Sequence, residues 1–101
     1  MARLAFSPEA YQDLGEIYAY IAADSRGRAQ VFIERVKARC DRLKEHPLLG
    51  RVRSEIMLEI RSIPVKPVVI FYRYIKAEDL VEITRIIDGR RDLHTIFSED
   101  V

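Results

Sequence analysis

The apolar pattern of this chain changes period at Gly50, and that change restricts the fold more than any other feature. Before it, Ala10, Leu14, Ile17 and Ile21 recur at offsets of four, seven and eleven, the spacing of one face of an α-helix. Ala29, Ile33, Val36, Cys40 and Leu43 repeat that spacing, with Phe32 alongside. After it come runs rich in β-branched and aromatic residues: Ile56 to Ile63, Val68 to Ile75 and Leu80 to Ile87. These read as strands. Helical stripes followed by strands make an α+β chain, with the helices packed on one side of a sheet.

Local signals set the bounds. Ser7 is placed to cap free backbone N–H groups, Pro8 suits the first helical position, and Glu9 suits the positive end of the helix dipole. Asp24-Ser25-Arg26-Gly27 is turn chemistry, so a second helix is expected from Arg28 to Glu45. It stops at His46-Pro47, because proline disfavours helical geometry in the residue before it. Two helices joined by so short a turn form an antiparallel hairpin. Pro64 to Pro67 and Lys76 to Asp79 separate the three strand runs, which predicts an antiparallel meander. Arg3 to Phe6 reads as one brief strand, Asp88 to Asp92 as a turn, and Leu93 to Phe97 as a terminal helical turn. The expected order is (β)ααβββ in one domain, residues 1–101.

Composition narrows the function. Among 101 residues, Lys and Arg number 17 against 16 Asp and Glu, a formal net charge of +1. That excludes a histone-like polycation and an acidic disordered tail, and it argues against direct nonspecific DNA binding. One cysteine and two histidines leave too few ligands for a zinc site or a disulfide framework. There is no glycine-rich phosphate loop, so no cofactor is expected. No apolar run spans a bilayer, and the start lacks the long apolar stretch of a secretory signal, so a cytoplasmic protein is expected.

Charge is sorted within the near-neutral total. At 100° per residue, Arg28, Arg35, Arg39 and Arg42 lie along one flank of the second helix, and Glu34, Asp41 and Glu45 along the other. Such a stripe either receives carboxylates or phosphates through bidentate bonds, or is an ordinary solvated face. In the last strand, alternation puts Val81, Ile83 and Ile87 on one side with Arg85, and Leu80 and Ile86 on the other. In the middle strand, Val69, Phe71 and Ile75 share a side with Arg73, opposite Ile70, Tyr72 and Tyr74. Neither strand has a clean polar side, and a helical hairpin covers only one. The far side is therefore a partner surface, or it is covered by twist, the terminal turn or self-association. Arg73 and Arg85 each need a partner, with Glu55, Glu59 and Glu82 within reach on neighbouring strands. Tyr11, Tyr18 and Tyr20 flank the first helix's stripe, as core edge or docking strip. Cys40 falls in the core stripe, His46 at a helix end, and His94 just after an Arg-Arg turn, as an exposed polar residue or a general acid.

The ordered set FSPEAYQDLGEIYAYIA, RAQVFIERVKARCDRLKEHPLLGR, EIRSIPVKPVVIFYRY and VEITRIIDGRRDLHTIF resembles ParE-type toxins of the RelE/ParE superfamily almost end to end. The resemblance implies a helical hairpin on a small antiparallel sheet, and a toxin encoded beside its antitoxin. ParE-like members inhibit DNA gyrase; RelE-like members cut mRNA on the ribosome. The chain looks closer to ParE, because Asp88 stands where relatives often place a histidine before the glycine of the last turn. On this resemblance, a ParD-type antitoxin tail is expected to meet Tyr11, Tyr18, Arg28, Arg35, Arg39, Arg42, Tyr72 and Arg73 in a hetero-oligomer. Arg85, Arg90 and Arg91 are expected to face the target. The ribonuclease alternative would use Arg61, Tyr72, Arg85 and His94, and a third reading is an antitoxin-binding partner without toxicity.

Overall fold

A computed structural model describes residues 1–91, 93, 96 and 97. Strand β1 (Arg3–Phe6) leads into helices α1 (Pro8–Ala22) and α2 (Arg26–Glu45). Strands β2 (Arg51–Val52), β3 (Arg61–Val65), β4 (Val68–Ile75) and β5 (Leu80–Asp88) follow, with a short 3-10 turn, Lys76–Glu78, before β5. The strands form one sheet in the order β1-β5-β4-β3-β2.

The helix starts follow their caps. The Ala10 N–H donates to Ser7 Oγ at 3.0 Å, and the same hydroxyl donates to the Thr84 carbonyl at 2.7 Å, so one side chain starts α1 and ties it to β5. Ser25 does the equivalent for α2, accepting from the Arg28 N–H at 3.2 Å. That cap explains why α2 begins at Arg26, two residues before the expected start. His46 closes α2 through its N–H to the Arg42 carbonyl, as expected of the residue before Pro47.

The sheet departs from the expected antiparallel meander in three ways. First, β1 pairs in parallel with β5, from Arg3↔Leu80 to Phe6↔Ile83, so the sheet is mixed. A parallel neighbour needs a long crossover, and both helices and three strands supply it. Second, the run from Ile56 to Ile63 is not one strand. The segment from Arg53 to Ile60 closes into turns, with Ile56 and Met57 both donating to the Arg53 carbonyl and Ile60 to that of Met57. Glu59 there takes φ 64°, incompatible with a strand. The strand that forms, β3, begins at Arg61 and runs through Pro64. Third, the β4–β5 register shifts by one residue, from Tyr72↔Ile83 to Phe71↔Arg85. Thr84 is the extra residue, a bulge that reverses the alternation beyond it. Ile86, not Ile87, therefore joins Val81 and Ile83 in the core under the helices.

That main core also holds Val36, Cys40 and Leu43 from α2 and Ile70 and Tyr72 from β4. A second cluster lies on the other side of the sheet: Ile60, Phe71, Ile87, Ile96 and Phe97, with Ile56, Met57 and Leu93 against it. The Phe71 and Phe97 rings meet edge-on at 4.9 Å. Of the alternatives for the far side, covering by the terminal turn is the one realised around Phe71.

Candidate partner-binding surface

The second helix ends at a rigid corner, and the corner shapes a groove. Tyr72 is fully buried and its hydroxyl does two jobs. It accepts the Gly50 N–H at 2.7 Å and donates to the Pro47 carbonyl at 2.9 Å. Burial pushes the phenol's pKa up, against the smaller opposing pull of the Gly50 N–H and Arg61. Gly50 is required here, since a Cβ would stand 2.6 Å from the tyrosine ring and 2.9 Å from the Ser62 carbonyl. Arg61, opposite Tyr72 in the register, donates to the Gly50 carbonyl at 2.8 Å and to that of Leu48 at 3.2 Å.

Beside this corner, Arg39, Arg42, Leu49, Gly50, Arg51 and Pro64 line an open groove of about 340 Å³, floored in part by Ile63. Arg39 contributes one long bond, 3.5 Å to the Pro64 carbonyl. Leu49 lines the groove and is 45% exposed, and its chain neighbours Leu48 and Val52 are exposed by 63% and 47%. Sequence reading missed Arg51 and these three apolar residues; the signal was a Leu-Leu pair directly after the helix-stopping proline.

The other expected antitoxin contacts are dispersed. Arg28 and Arg35 lie further back on α2, beside Ile21, Val31 and Phe32. Arg28 pairs with Asp24 at 3.3 Å in full solvent, and Arg35 stacks over the Phe32 ring at 5.9 Å. Tyr11 is exposed on α1 and rests its ring 5.2 Å from Phe6, while Tyr18 is also exposed. Arg73 pairs with Glu82 at 2.9 Å, one of the partners expected for it. Tyr72 departs from the expectation of a surface contact: it is enclosed by the corner that it holds together.

Arg85 finds an unexpected partner. Its guanidinium meets the Asp13 carboxylate on α1 through Nε at 2.8 Å and Nη2 at 3.0 Å. The same carboxylate accepts the Ile86 N–H at 2.9 Å. Asp13 thus serves β5 where β1 has ended and no strand remains to pair with it. At the turn after β5, Arg90 grips Asp88 through Nη2 at 2.9 Å and Nε at 3.1 Å. Those bonds, with the Arg90 N–H, hold the Asp88 carboxyl down at about 2, so it is an anion at every ordinary pH. Arg90 and Arg91 are exposed; His94 lies outside the described residues.

Cys40 is buried and its thiol is pushed up to about 12, first by burial and then by Asp41. Among the described residues, no cluster of His, Cys, Asp and Glu would hold a metal ion, and no helix is long and apolar enough to cross a membrane. Of the ribonuclease candidates, Arg61 and Tyr72 meet at Gly50, while Arg85 is held by α1.

Comparison with known proteins places this geometry. Residues 4–93 match the family model for the ParE toxin of the type II toxin–antitoxin system parDE. Toxin ParE3 of Caulobacter vibrioides is 40% identical over 65 residues, 64% of this chain and 63% of that relative. Toxin RelE2 of the same organism is 37% identical over 85% of this chain and 93% of its own length. The fold matches a chain of the chromosomal ParDE system from P. aeruginosa with a TM-score of 0.72 at 21% identity, covering 87% of this chain and 96% of that one. A hairpin of helices on a five-stranded mixed sheet, matched almost throughout by one family model, makes this chain a member of the ParE toxin family.

Proposed function

We propose that this chain is the toxin of a type II toxin–antitoxin pair, that a ParD-type antitoxin neutralises it in a hetero-oligomer, and that it inhibits DNA gyrase by binding rather than by catalysis. The observation that carries the non-catalytic reading is the commitment of the three ribonuclease candidates among the described residues. Tyr72 spends its hydroxyl on the Pro47–Gly50 corner, Arg61 donates to two carbonyls, and Arg85 is joined to Asp13. Cleaving a phosphodiester needs donors aimed at the charge that develops on phosphate. Asp88 instead puts a fixed anion at the last turn.

Family membership favours the antitoxin, and so does the supply of arginine along α2. The target contact is assigned to Arg90 and Arg91, with Arg85 behind them in β5, and the place of action is then the cytoplasm. The test sets purified protein in a gyrase supercoiling assay beside a ribosome-programmed mRNA cleavage assay. Supercoiling should be inhibited, and Arg90→Glu/Arg91→Glu should weaken inhibition at least tenfold. Cleaved message with untouched supercoiling would overturn the proposal in favour of a RelE-type ribonuclease. Silence in both assays would leave an antitoxin-binding partner without toxicity.

A further inference from the structure

We infer that Asp13 guards an open strand edge: its carboxylate stands in for a missing strand beside β5, and without it β5 becomes a pairing edge for a second copy of this chain. The reason begins with a mismatch of lengths. β1 pairs with β5 from Leu80 to Ile83 only, while β5 runs on to Asp88. From Thr84 to Asp88 the strand has β4 on one side and no strand on the other. An unpaired edge is a template for another chain.

The groups along that edge follow from the ladder. The Ile86 N–H donates to Asp13, so Ile86 turns its peptide groups away from β4. Alternation gives Asp88 the same direction and Ile87 the opposite one. The Gly89 N–H fits that alternation, since it turns back to the Pro67 carbonyl. Two side chains cover the outward groups. Ser7 Oγ donates to the Thr84 carbonyl at 2.7 Å, and Asp13 takes the Ile86 N–H at 2.9 Å. Past Asp13, α1 stands off the sheet over a hollow of about 460 Å³ walled by Ile17, Ile21, Val68 and Ile86. Among the described residues no hydrogen bond joins α1 to β5 beyond Asp13, and Ala10 is the one buried residue of the helix. The carboxylate therefore does two things at once: it occupies the N–H, and it holds α1 down over the edge.

The occupant is a second copy because the segment is complementary to itself. Ile83-Thr84-Arg85-Ile86-Ile87 is β-branched at four of five positions, and its one charge, Arg85, is held by Asp13. Such a run is a strong pairing segment once exposed. A two-fold axis at Ile86 would let the N–H and C=O of that residue exchange with the same groups of the second copy, as in any hydrogen-bonded antiparallel pair. This role is independent of the target and of the antitoxin.

The test follows self-association by analytical ultracentrifugation over a range of concentrations, and the Ile86 amide by hydrogen exchange. Asp13→Ala should associate at least tenfold more tightly than the parent. Its Ile86 amide should exchange at least tenfold faster when dilute and slow again as the concentration rises, while the Ile87 amide, which faces β4, changes far less. Arg85→Ala breaks the same ion pair and loses stability, yet leaves the Ile86 N–H on Asp13, so it should associate no more than the parent. Asp13→Asn, which keeps an oxygen for that N–H, should behave likewise. The double variant Asp13→Ala/Arg85→Ala lacks the guard but also the guanidinium left behind. It should associate at least as readily as Asp13→Ala while being the more stable of the two, and it carries the test if Asp13→Ala does not fold. Equal association in Arg85→Ala, a double variant that associates no more than the parent, or an Ile86 amide whose exchange ignores concentration overturns the inference.

Discussion

Tyr72 and Gly50 lie 22 residues apart and are joined by one hydroxyl. Replacing Tyr72 with Phe keeps the ring, strands the buried Gly50 N–H and removes a partner from the half-buried Pro47 carbonyl. The expected cost is about 1–3 kcal/mol, the penalty for a buried polar group left unpaired, read as a lower urea midpoint at unchanged slope. A thermal or urea transition equal to the parent's would show that water replaces the hydroxyl. This pairing was not legible in the sequence. Alternation put Tyr72 opposite Phe71 correctly, but it does not say which side the helices cover. Arg73 was legible, because Glu82 sits directly across from it in the register. Arg85 was not, because its acid comes from a helix 72 residues earlier.

At the scale of elements, α1 is held more by its ends and one carboxylate than by burial. Ala10 is its one buried residue, while Leu14, Ile17 and Ile21 are half covered. Asp13 compensates by bonding both the Arg85 side chain and the Ile86 backbone, with 11% of its side chain exposed. Asp13→Ala should therefore cost about 3 kcal/mol, because it takes a two-point carboxylate contact away from a largely buried guanidinium and the acceptor away from the Ile86 N–H. The double variant Asp13→Ala/Arg85→Ala should recover part of that loss in a denaturation cycle, and strict additivity would deny the coupling. The α1 start and the α2 end were readable because caps are local, with Ser7 and His46 acting within a turn, whereas Ser25 read as turn chemistry alone and the α2 start was set two residues late. The run from Ile56 to Ile63 misled for the opposite reason. Ile56, Met57 and Ile60 serve the far-side cluster from a turn, where burial follows tertiary position rather than period.

For the molecule as a whole, the sheet carries a core on each side, and the smaller one depends on residues from the end of the described chain. Phe97 is 2% exposed and closes over Phe71. Phe97→Ala should cost about 3–5 kcal/mol, the usual loss for truncating a buried phenylalanine, and should raise binding of a hydrophobic dye in the native state. A stable variant that binds no dye would mean that the far side is covered by something else. The layered architecture was legible from the change of period at Gly50, whereas the parallel partner of β1 was not, since nothing in four residues names a strand 77 positions later. That partnership has a consequence in time. A ribosome adding about 5–20 residues per second needs roughly 4–15 seconds to travel from Arg3 to Leu80. Throughout that interval the helical hairpin exists without the strand that anchors both Ser7 and Asp13, so a message cut or stalled before the codon for Leu80 yields a chain that cannot complete its sheet.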